Sequence, residues 1–182
     1  MNLNNRKGII LAGGSGSRLM PSTQVVSKQI LTVYDKPMIF YALSVLMLSH
    51  IRKILIISTK RDIVFFKALL NNGEHLGPNI SYKVQLNPNG IAECFILGKE
   101  FIGKDHCALI LGDNLFYGSD LPAICKRASS KTNSSIFAYQ VTNPSDYGVV
   151  QFNSKNEVIE IEEKPENPKS QFAVTGLYFY DN

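Results

Sequence analysis

The run from Gly8 to Ala12 is the feature that most constrains the fold of this chain. It contains only glycine and apolar residues, and Gly13 and Gly14 follow it directly. A strand buried on both faces of a parallel sheet has this continuous apolar pattern. In a strand with one solvent-exposed face, apolar and polar residues alternate. Two similar runs, residues 53–58 and 107–111, occur later in the chain. We therefore predict that the three runs are buried strands of a parallel sheet.

The segments between and after these runs predict the other elements. Apolar residues at helical spacing predict helices over residues 38–48, 62–70, 91–101 and 121–128. Strand-like patterns occur over residues 80–85, 135–141, 149–152, 158–163 and 173–180. The sequence thus predicts an α/β fold with a mixed sheet, in which a β-hairpin is appended to an alternating β/α core.

Composition and charge argue against several classes of protein. The 182 residues are 45% hydrophobic and 19% charged, as in an ordinary soluble globular domain. The net charge of +4 is dispersed along the chain, so we expect no nucleic-acid partner. No segment approaches the roughly 20 apolar residues that span a bilayer, so we expect no membrane partner. Cys94, Cys107 and Cys125 lack metal-site spacing and form an odd set, which favours a reducing, cytoplasmic location.

A glycine-rich loop, residues 11–19, follows the first predicted strand. Its glycines would let the backbone approach a ligand and aim N–H groups at phosphate oxygens. Arg18 adds a guanidinium, whose planar fork suits phosphate. The loop is not a Walker A motif, because no Gly-Lys-Ser/Thr closes it. It is also not a dinucleotide fingerprint, because Leu19 stands where a third glycine is needed. The alternative is a glycine-rich turn with an incidental arginine.

Three short motifs supply further charged side chains. Lys28 follows the loop and could flank the same triphosphate, or be a surface charge. Asp113 ends the predicted strand 107–111, at the sheet edge where α/β proteins bind ligands. One carboxylate with phosphate oxygens and waters suits Mg²⁺, although a turn aspartate that caps the next helix would have the same position. Glu163 and Lys164 could bind sugar hydroxyls and a sugar phosphate, or form a solvated pair.

The order of these motifs resembles the sugar-1-phosphate nucleotidylyltransferase family. The likeness is strongest to its thymidylyltransferase branch, through residues 8–16, 34–39, 111–114 and 174–182. It implies a Rossmann-like fold of the nucleotide-diphospho-sugar transferase type, with a mostly parallel mixed sheet flanked by helices. It also implies one nucleotidyltransferase domain over residues 1–182 that is incomplete at its C-terminal end. Full-length members continue through a second metal-binding aspartate and through helices that help to assemble homotetramers.

The resemblance also implies roles for individual residues. The nucleotide would contact Leu11, Gly13, Gly14, Ser15, Gly16, Ser17, Arg18, Lys28, Gln29, Gln85 and Gly90. The sugar phosphate would contact Asn114, Tyr147, Gly148, Glu163, Lys164 and Val174. Catalysis would depend on Arg18, Lys28, Asp113 and Lys164, with Asp113 as the ligand of Mg²⁺.

The implied reaction transfers a thymidylyl group from dTTP to glucose 1-phosphate, which gives dTDP-glucose and pyrophosphate for deoxysugar and surface-polysaccharide synthesis. The sugar phosphate is already an anionic nucleophile, so the site must mainly supply positioning and cationic stabilisation. The chief alternative is a remnant of the same fold that binds nucleotide or sugar phosphate without turnover. A uridylyltransferase, a dinucleotide-dependent oxidoreductase and a nucleic-acid binder are further alternatives.

We predict that Arg18→Ala lowers turnover by about 10²-fold or more, because the substitution removes a charge-assisted contact to the departing pyrophosphate. Pyrophosphate release from dTTP and glucose 1-phosphate in the presence of Mg²⁺ measures this effect. Unchanged turnover in the variant would remove Arg18 from the mechanism.

Overall fold

The computed structural model describes residues 6–14, 16–87 and 89–182, and the side chain of Arg18 lies outside the described part. The chain divides into two compact units. The larger unit contains the residues up to 135 together with residues 178–182, and the smaller unit contains residues 136–177.

The larger unit alternates strands and helices. Its elements in chain order are β1 (Lys7–Ala12), β2 (Thr32–Val33), β3 (Lys36–Pro37), α1 (Ile39–Leu48), β4 (Lys53–Thr59), α2 (Ile63–Leu70), β5 (Asn79–Gln85), α3 (Glu93–Leu97), α4 (Lys99–Ile102), β6 (Cys107–Leu111) and α5 (Leu121–Ser130). Short 3-10 helices cover Ser17–Leu19, Lys28–Ile30 and Glu74–Leu76. In the described residues, no helix is long and apolar enough to cross a membrane.

Strand β1 is central in the sheet of this unit. It pairs in parallel with β4 on one side and with β6 on the other, and β4 pairs in parallel with β5. In this register Leu11 lies opposite both Ile57 and Leu111. The carboxyl ends of these four strands therefore share one edge, where open α/β sheets place their ligand sites.

The buried strands form the core that their apolar sequences predict. Ile9, Ile10, Ile56 and Leu109 are completely buried. Fully burying an aliphatic side chain of this size contributes roughly 1.5–3 kcal/mol. The interior of the sheet thus fixes the backbone that leads to the ligand edge.

One predicted element is wrong in its extent. The helix predicted over residues 91–101 is two short helices, α3 and α4, which meet at Gly98. A Cβ at Gly98 would lie 3.1 Å from Cδ1 of Ile9 and 2.8 Å from the carbonyl oxygen of Cys94. Glycine is needed for this close packing on the sheet, and its weak helix propensity favours the break.

The smaller unit is built from antiparallel strands. Its strands are β7 (Ser135–Gln140), β8 (Gly148–Phe152), β9 (Val158–Glu163) and β10 (Phe172–Tyr180), and a 3-10 helix covers Pro144–Asp146. Strands β8 and β9 form the predicted hairpin, β10 pairs antiparallel with β8, and β7 also pairs with β10. The last residues of β10 belong to the larger unit. The predicted α/β fold class with a mixed, helix-flanked sheet is confirmed.

Two neighbouring phenylalanines of α2 provide a matched test of the core. Phe66 is 0% exposed and Phe65 is 41% exposed. We predict that Phe66→Ala lowers the free energy of unfolding by about 3–5 kcal/mol, because it leaves a cavity in the core. Phe65→Ala should cost about 1 kcal/mol or less, because its ring is already partly in water. Urea denaturation of both variants measures the difference, and equal losses would contradict the described packing.

Candidate functional site

The pairing of β1 with β6 brings the glycine loop and Asp113 together. The two strands end side by side, and the Gly112 N–H donates a hydrogen bond of 2.9 Å to the carbonyl oxygen of Leu11. A cavity of about 260 Å³ lies at this edge, and it is lined by Gly13, Gly14, Gly16, Ser17, Leu19, Lys28 and Asp113. Residues predicted from three separate stretches of sequence therefore meet at one cavity.

The glycines of the loop have conformations and contacts that a larger residue would disturb. Gly14 and Gly16 have φ angles of 104° and 61°, in the region that favours glycine. The hydroxyl of Thr23 donates a hydrogen bond of 2.7 Å to the carbonyl oxygen of Gly16. A Cβ on Gly16 would lie 2.9 Å from Cγ2 of Thr23. Ser15 and the side chain of Arg18, both predicted to bind the nucleotide, lie outside the described residues.

Gln29 holds the glycine loop through a side-chain hydrogen bond. Its side chain is buried, its Oε1 accepts a hydrogen bond of 2.6 Å from Ser27 Oγ, and its Nε2 donates one of 3.1 Å to the carbonyl oxygen of Gly13. A Cβ on Gly112 would lie 3.2 Å from Gln29 Cγ. Gln29 therefore ties the loop after β1 to the turn after β6.

Lys28 and Asp113 form an ion pair at the cavity. Lys28 Nζ lies 3.0 Å from Asp113 Oδ2, and Asn114 Nδ2 donates a hydrogen bond of 3.1 Å to Asp113 Oδ1. The two charged side chains are 30% and 34% exposed, so solvent and ligands can reach them. No group of three or more potential metal-binding side chains occurs in the described part of the chain. Asp113 is therefore not part of a larger cluster of metal-binding side chains in that part of the chain, which suits a cation such as Mg²⁺ that keeps waters and phosphate oxygens as its other ligands.

Gln85 lies beside the glycine loop at the end of β5. It is 5% exposed, and its Nε2 donates a hydrogen bond of 2.6 Å to Glu93 Oε2. Gly90 has a φ of 93°, and apart from its chain neighbours no described atom lies within 4 Å of the position that a Cβ would take. Glu93 was not predicted from the sequence, and neither were Thr23 and Ser27. They are single polar residues without a motif, so only the contacts in the folded chain identify them.

The sugar-phosphate residues predicted from the sequence are divided between the units. Asn114 belongs to the larger unit and the other five belong to the smaller unit. In the hairpin, Gly148 lies opposite Glu163, and the Lys164 N–H donates a hydrogen bond of 2.9 Å to the carbonyl oxygen of Tyr147. A Cβ on Gly148 would lie 3.0 Å from Glu163 Oε2. These four residues therefore cluster at one end of the hairpin, while Val174 lies on β10.

The cysteines are core residues. Cys94, Cys107 and Cys125 are free and buried. Burial raises the pKa of the Cys94 and Cys107 thiols to about 11, so both remain protonated at neutral pH. Because the thiolate is the reactive form, these side chains are poor nucleophiles. Cys94, which is 0% exposed, is thus a small core residue.

Adjacent residues of the site should respond differently to substitution. We predict that Lys28→Met changes the free energy of unfolding by less than about 1 kcal/mol, because its ion pair is partly exposed. Gln29→Ala should cost about 1–3 kcal/mol, because it leaves buried partners without hydrogen bonds. Thermal or urea unfolding of the two variants measures both effects. A loss in Lys28→Met as large as that in Gln29→Ala would show that Lys28 is structural.

Comparison with known proteins gives one consistent family. The sequence pattern of the family described as Nucleotidyl transferase matches residues 7–182. A curated glucose-1-phosphate thymidylyltransferase of Neisseria meningitidis serogroup A is 58% identical over 177 residues, which are 97% of this chain and 62% of that protein. One from Mycobacterium tuberculosis is 54% identical over 176 residues, 97% of this chain and 61% of the relative. The chain thus spans about three fifths of the length of these relatives.

Solved structures agree with this result. The crystal structure of a Bacillus anthracis protein, described as a glucose-1-phosphate thymidylyltransferase in complex with a sucrose, has a TM-score of 0.88 and 40% identity to this chain. The match covers 97% of this chain and 71% of that one. A UDP-glucose pyrophosphorylase complexed with UDP-glucose has a TM-score of 0.84 at 26% identity, over 96% of this chain and 75% of that one. The chain therefore belongs to the nucleotidyl transferase family.

Proposed function

We propose that this chain binds dTTP at the glycine loop and transfers its thymidylyl group to glucose 1-phosphate, with release of pyrophosphate. The observation that carries the proposal is the shared cavity of the glycine loop, Lys28 and Asp113. The names of the relatives at 54–58% identity support the choice of dTTP and glucose 1-phosphate.

The triphosphate would lie in the 260 Å³ cavity. Backbone N–H groups of the loop would donate to phosphate oxygens, and the left-handed conformations at Gly14 and Gly16 allow the close approach. The Lys28 ammonium would leave Asp113 for a phosphate oxygen, which offers it more negative charge. We assign the Arg18 guanidinium to the departing pyrophosphate, because Arg18 lies in the glycine-rich loop, two residues after Gly16.

Asp113 would hold a Mg²⁺ ion through one carboxylate. The ion, when bound, would neutralise phosphate oxygens that otherwise repel the incoming sugar phosphate. Asn114 Nδ2 holds Oδ1 of Asp113 and Lys28 holds Oδ2, so this chain orients the carboxylate before any ion arrives. Hydrogen bonds of this kind set the direction in which a metal-binding carboxylate presents its lone pairs.

The reaction needs no general base. An oxygen of the sugar phosphate, already an anion, would attack the α-phosphorus of dTTP. The bond between that phosphorus and the oxygen that bridges to the β-phosphorus would break, and pyrophosphate would leave with the electron pair. The contribution of the protein is therefore positioning and cationic stabilisation of the leaving group.

The sugar phosphate would bind the hairpin of the smaller unit. Gly148 leaves room for the Glu163 carboxylate, which can accept hydrogen bonds from sugar hydroxyls. We assign the Lys164 ammonium to the phosphate of the sugar, with Tyr147 and Val174 of the same unit as further contacts. We also infer a cytoplasmic location, because the three buried cysteines are free thiols.

The proposal predicts a metal-dependent activity that requires Asp113. The wild-type chain should release pyrophosphate from dTTP and glucose 1-phosphate when Mg²⁺ is present, and Asp113→Asn should lower the rate by about 10²-fold or more. The matched control is Asp120→Asn, an exposed aspartate at the start of α5, which should keep the wild-type rate.

Three outcomes separate the alternatives. Tight dTTP binding without pyrophosphate release would favour the remnant that binds without turnover. A higher rate with UTP than with dTTP would favour a uridylyltransferase. Equal rates for Asp113→Asn and wild type would contradict the role of Asp113.

A further inference from the structure

Glu93 holds the side-chain amide of Gln85 in one orientation. Glu93 is the first residue of α3, and its Oε2 accepts the 2.6 Å hydrogen bond from Gln85 Nε2. An ionised carboxylate only accepts hydrogen bonds, so only the NH₂ side of the amide can face it. The carbonyl side, Oε1, must therefore point away from Glu93.

The carboxylate of Glu93 is itself held at both oxygens. Its Oε1 accepts a hydrogen bond of 3.2 Å from Asn89 Nδ2, while Oε2 takes the bond from Gln85. Hydrogen bonds to an ionised group are roughly twice as strong as neutral ones. A flip of the Gln85 amide would bring its Oε1 against Glu93 Oε2 and lose the hydrogen bond, so the arrangement resists the flip.

Gln85 Oε1 faces the glycine loop. A Cβ on Gly13 would lie 3.2 Å from Gln85 Oε1, so the missing side chain of Gly13 gives this oxygen its space. Gly13 also lines the cavity that contains Lys28 and Asp113. Within the described residues, no hydrogen bond to Gln85 Oε1 occurs. The site thus presents a hydrogen-bond acceptor beside the loop, although a glutamine could equally present a donor.

We propose that Glu93 is a positioning residue that fixes Gln85 as an acceptor and so selects a nucleobase whose pairing edge carries a ring N–H. The inference rests on the proposed function, which places the base at Gln85. Thymine and uracil have such an N–H at N3. Cytosine has a lone pair at N3, which would face the lone pairs of Gln85 Oε1 and leave both acceptors without a proton.

The test measures binding of dTTP and dCTP by titration calorimetry, without sugar phosphate. The wild-type chain should prefer dTTP by about 10-fold or more, because a mismatched pair leaves desolvated acceptors unpaired. In Glu93→Gln and Glu93→Ala the Gln85 amide can turn. The ratio of the two dissociation constants should then fall by about 5-fold or more, mainly through tighter dCTP binding.

Glu100→Gln is the matched control, because it makes the same change at an exposed position of α4 and should keep the wild-type ratio. A second readout needs no ligand. The side-chain NH₂ resonances of Gln85 should shift in Glu93→Gln and stay in place in Glu100→Gln, because only the first variant loses the carboxylate acceptor. Glu93→Gln has nearly the same shape as wild type, so it also separates lost orientation from lost folding.

The outcomes separate the inference from the proposed function. An unchanged preference for dTTP in both Glu93 variants overturns the inference and leaves the proposed function intact. Unshifted Gln85 NH₂ resonances in Glu93→Gln also overturn it. A wild-type chain that binds neither nucleotide contradicts the proposed function, and the inference fails with it.

Discussion

The parallel pairing of β1 with β6 is the interaction on which the candidate site depends. The two strands stay in register up to Leu11 and Leu111, and the Gly112 N–H then donates to the carbonyl oxygen of Leu11. The chain leaves both strands at the same level of the sheet. Gly13 and Asp113 consequently meet at one cavity although they are far apart in sequence. A shift of one residue between these strands would move Asp113 relative to the loop, and the close packing of the buried isoleucines and leucines of both strands opposes such a shift.

Hydrogen bonds from polar side chains fix the backbone of the glycine loop beside the turn after β6. Gln29 links the carbonyl oxygen of Gly13 to Ser27, and its Cγ occupies space that a Cβ on Gly112 would need. Thr23 holds the carbonyl oxygen of Gly16. The charged groups, in contrast, are partly exposed and can exchange partners when an anionic ligand arrives. The site therefore combines a fixed backbone with a lysine and an aspartate that remain free to rearrange.

The sequence predicts best those strands whose burial determines their own residue pattern. Continuous apolar runs predicted β1, β4 and β6, because buried parallel strands need them, and alternation predicted the hairpin. The order of loop, Lys28 and Asp113 predicted which residues meet. Two features of the structure depend on tertiary packing, and local sequence patterns did not predict them. The break at Gly98 depends on contact with Ile9, and the orientation of Gln85 depends on Glu93. Residue spacing in the sequence does not predict these two contacts, because each joins side chains that come together only in the folded chain.

In the proposed complex, the glycine loop and Asp113 enclose one triphosphate and its cation. Replacement of Mg²⁺ by paramagnetic Mn²⁺ in the presence of dTTP tests it most directly, through the broadening of backbone amide resonances. The amides of residues 13–17 and 113–114 should broaden together, and the loop amides should broaden only when dTTP is present. Broadening that is confined to one of the two segments, or that is centred elsewhere in the chain, would contradict the proposed complex.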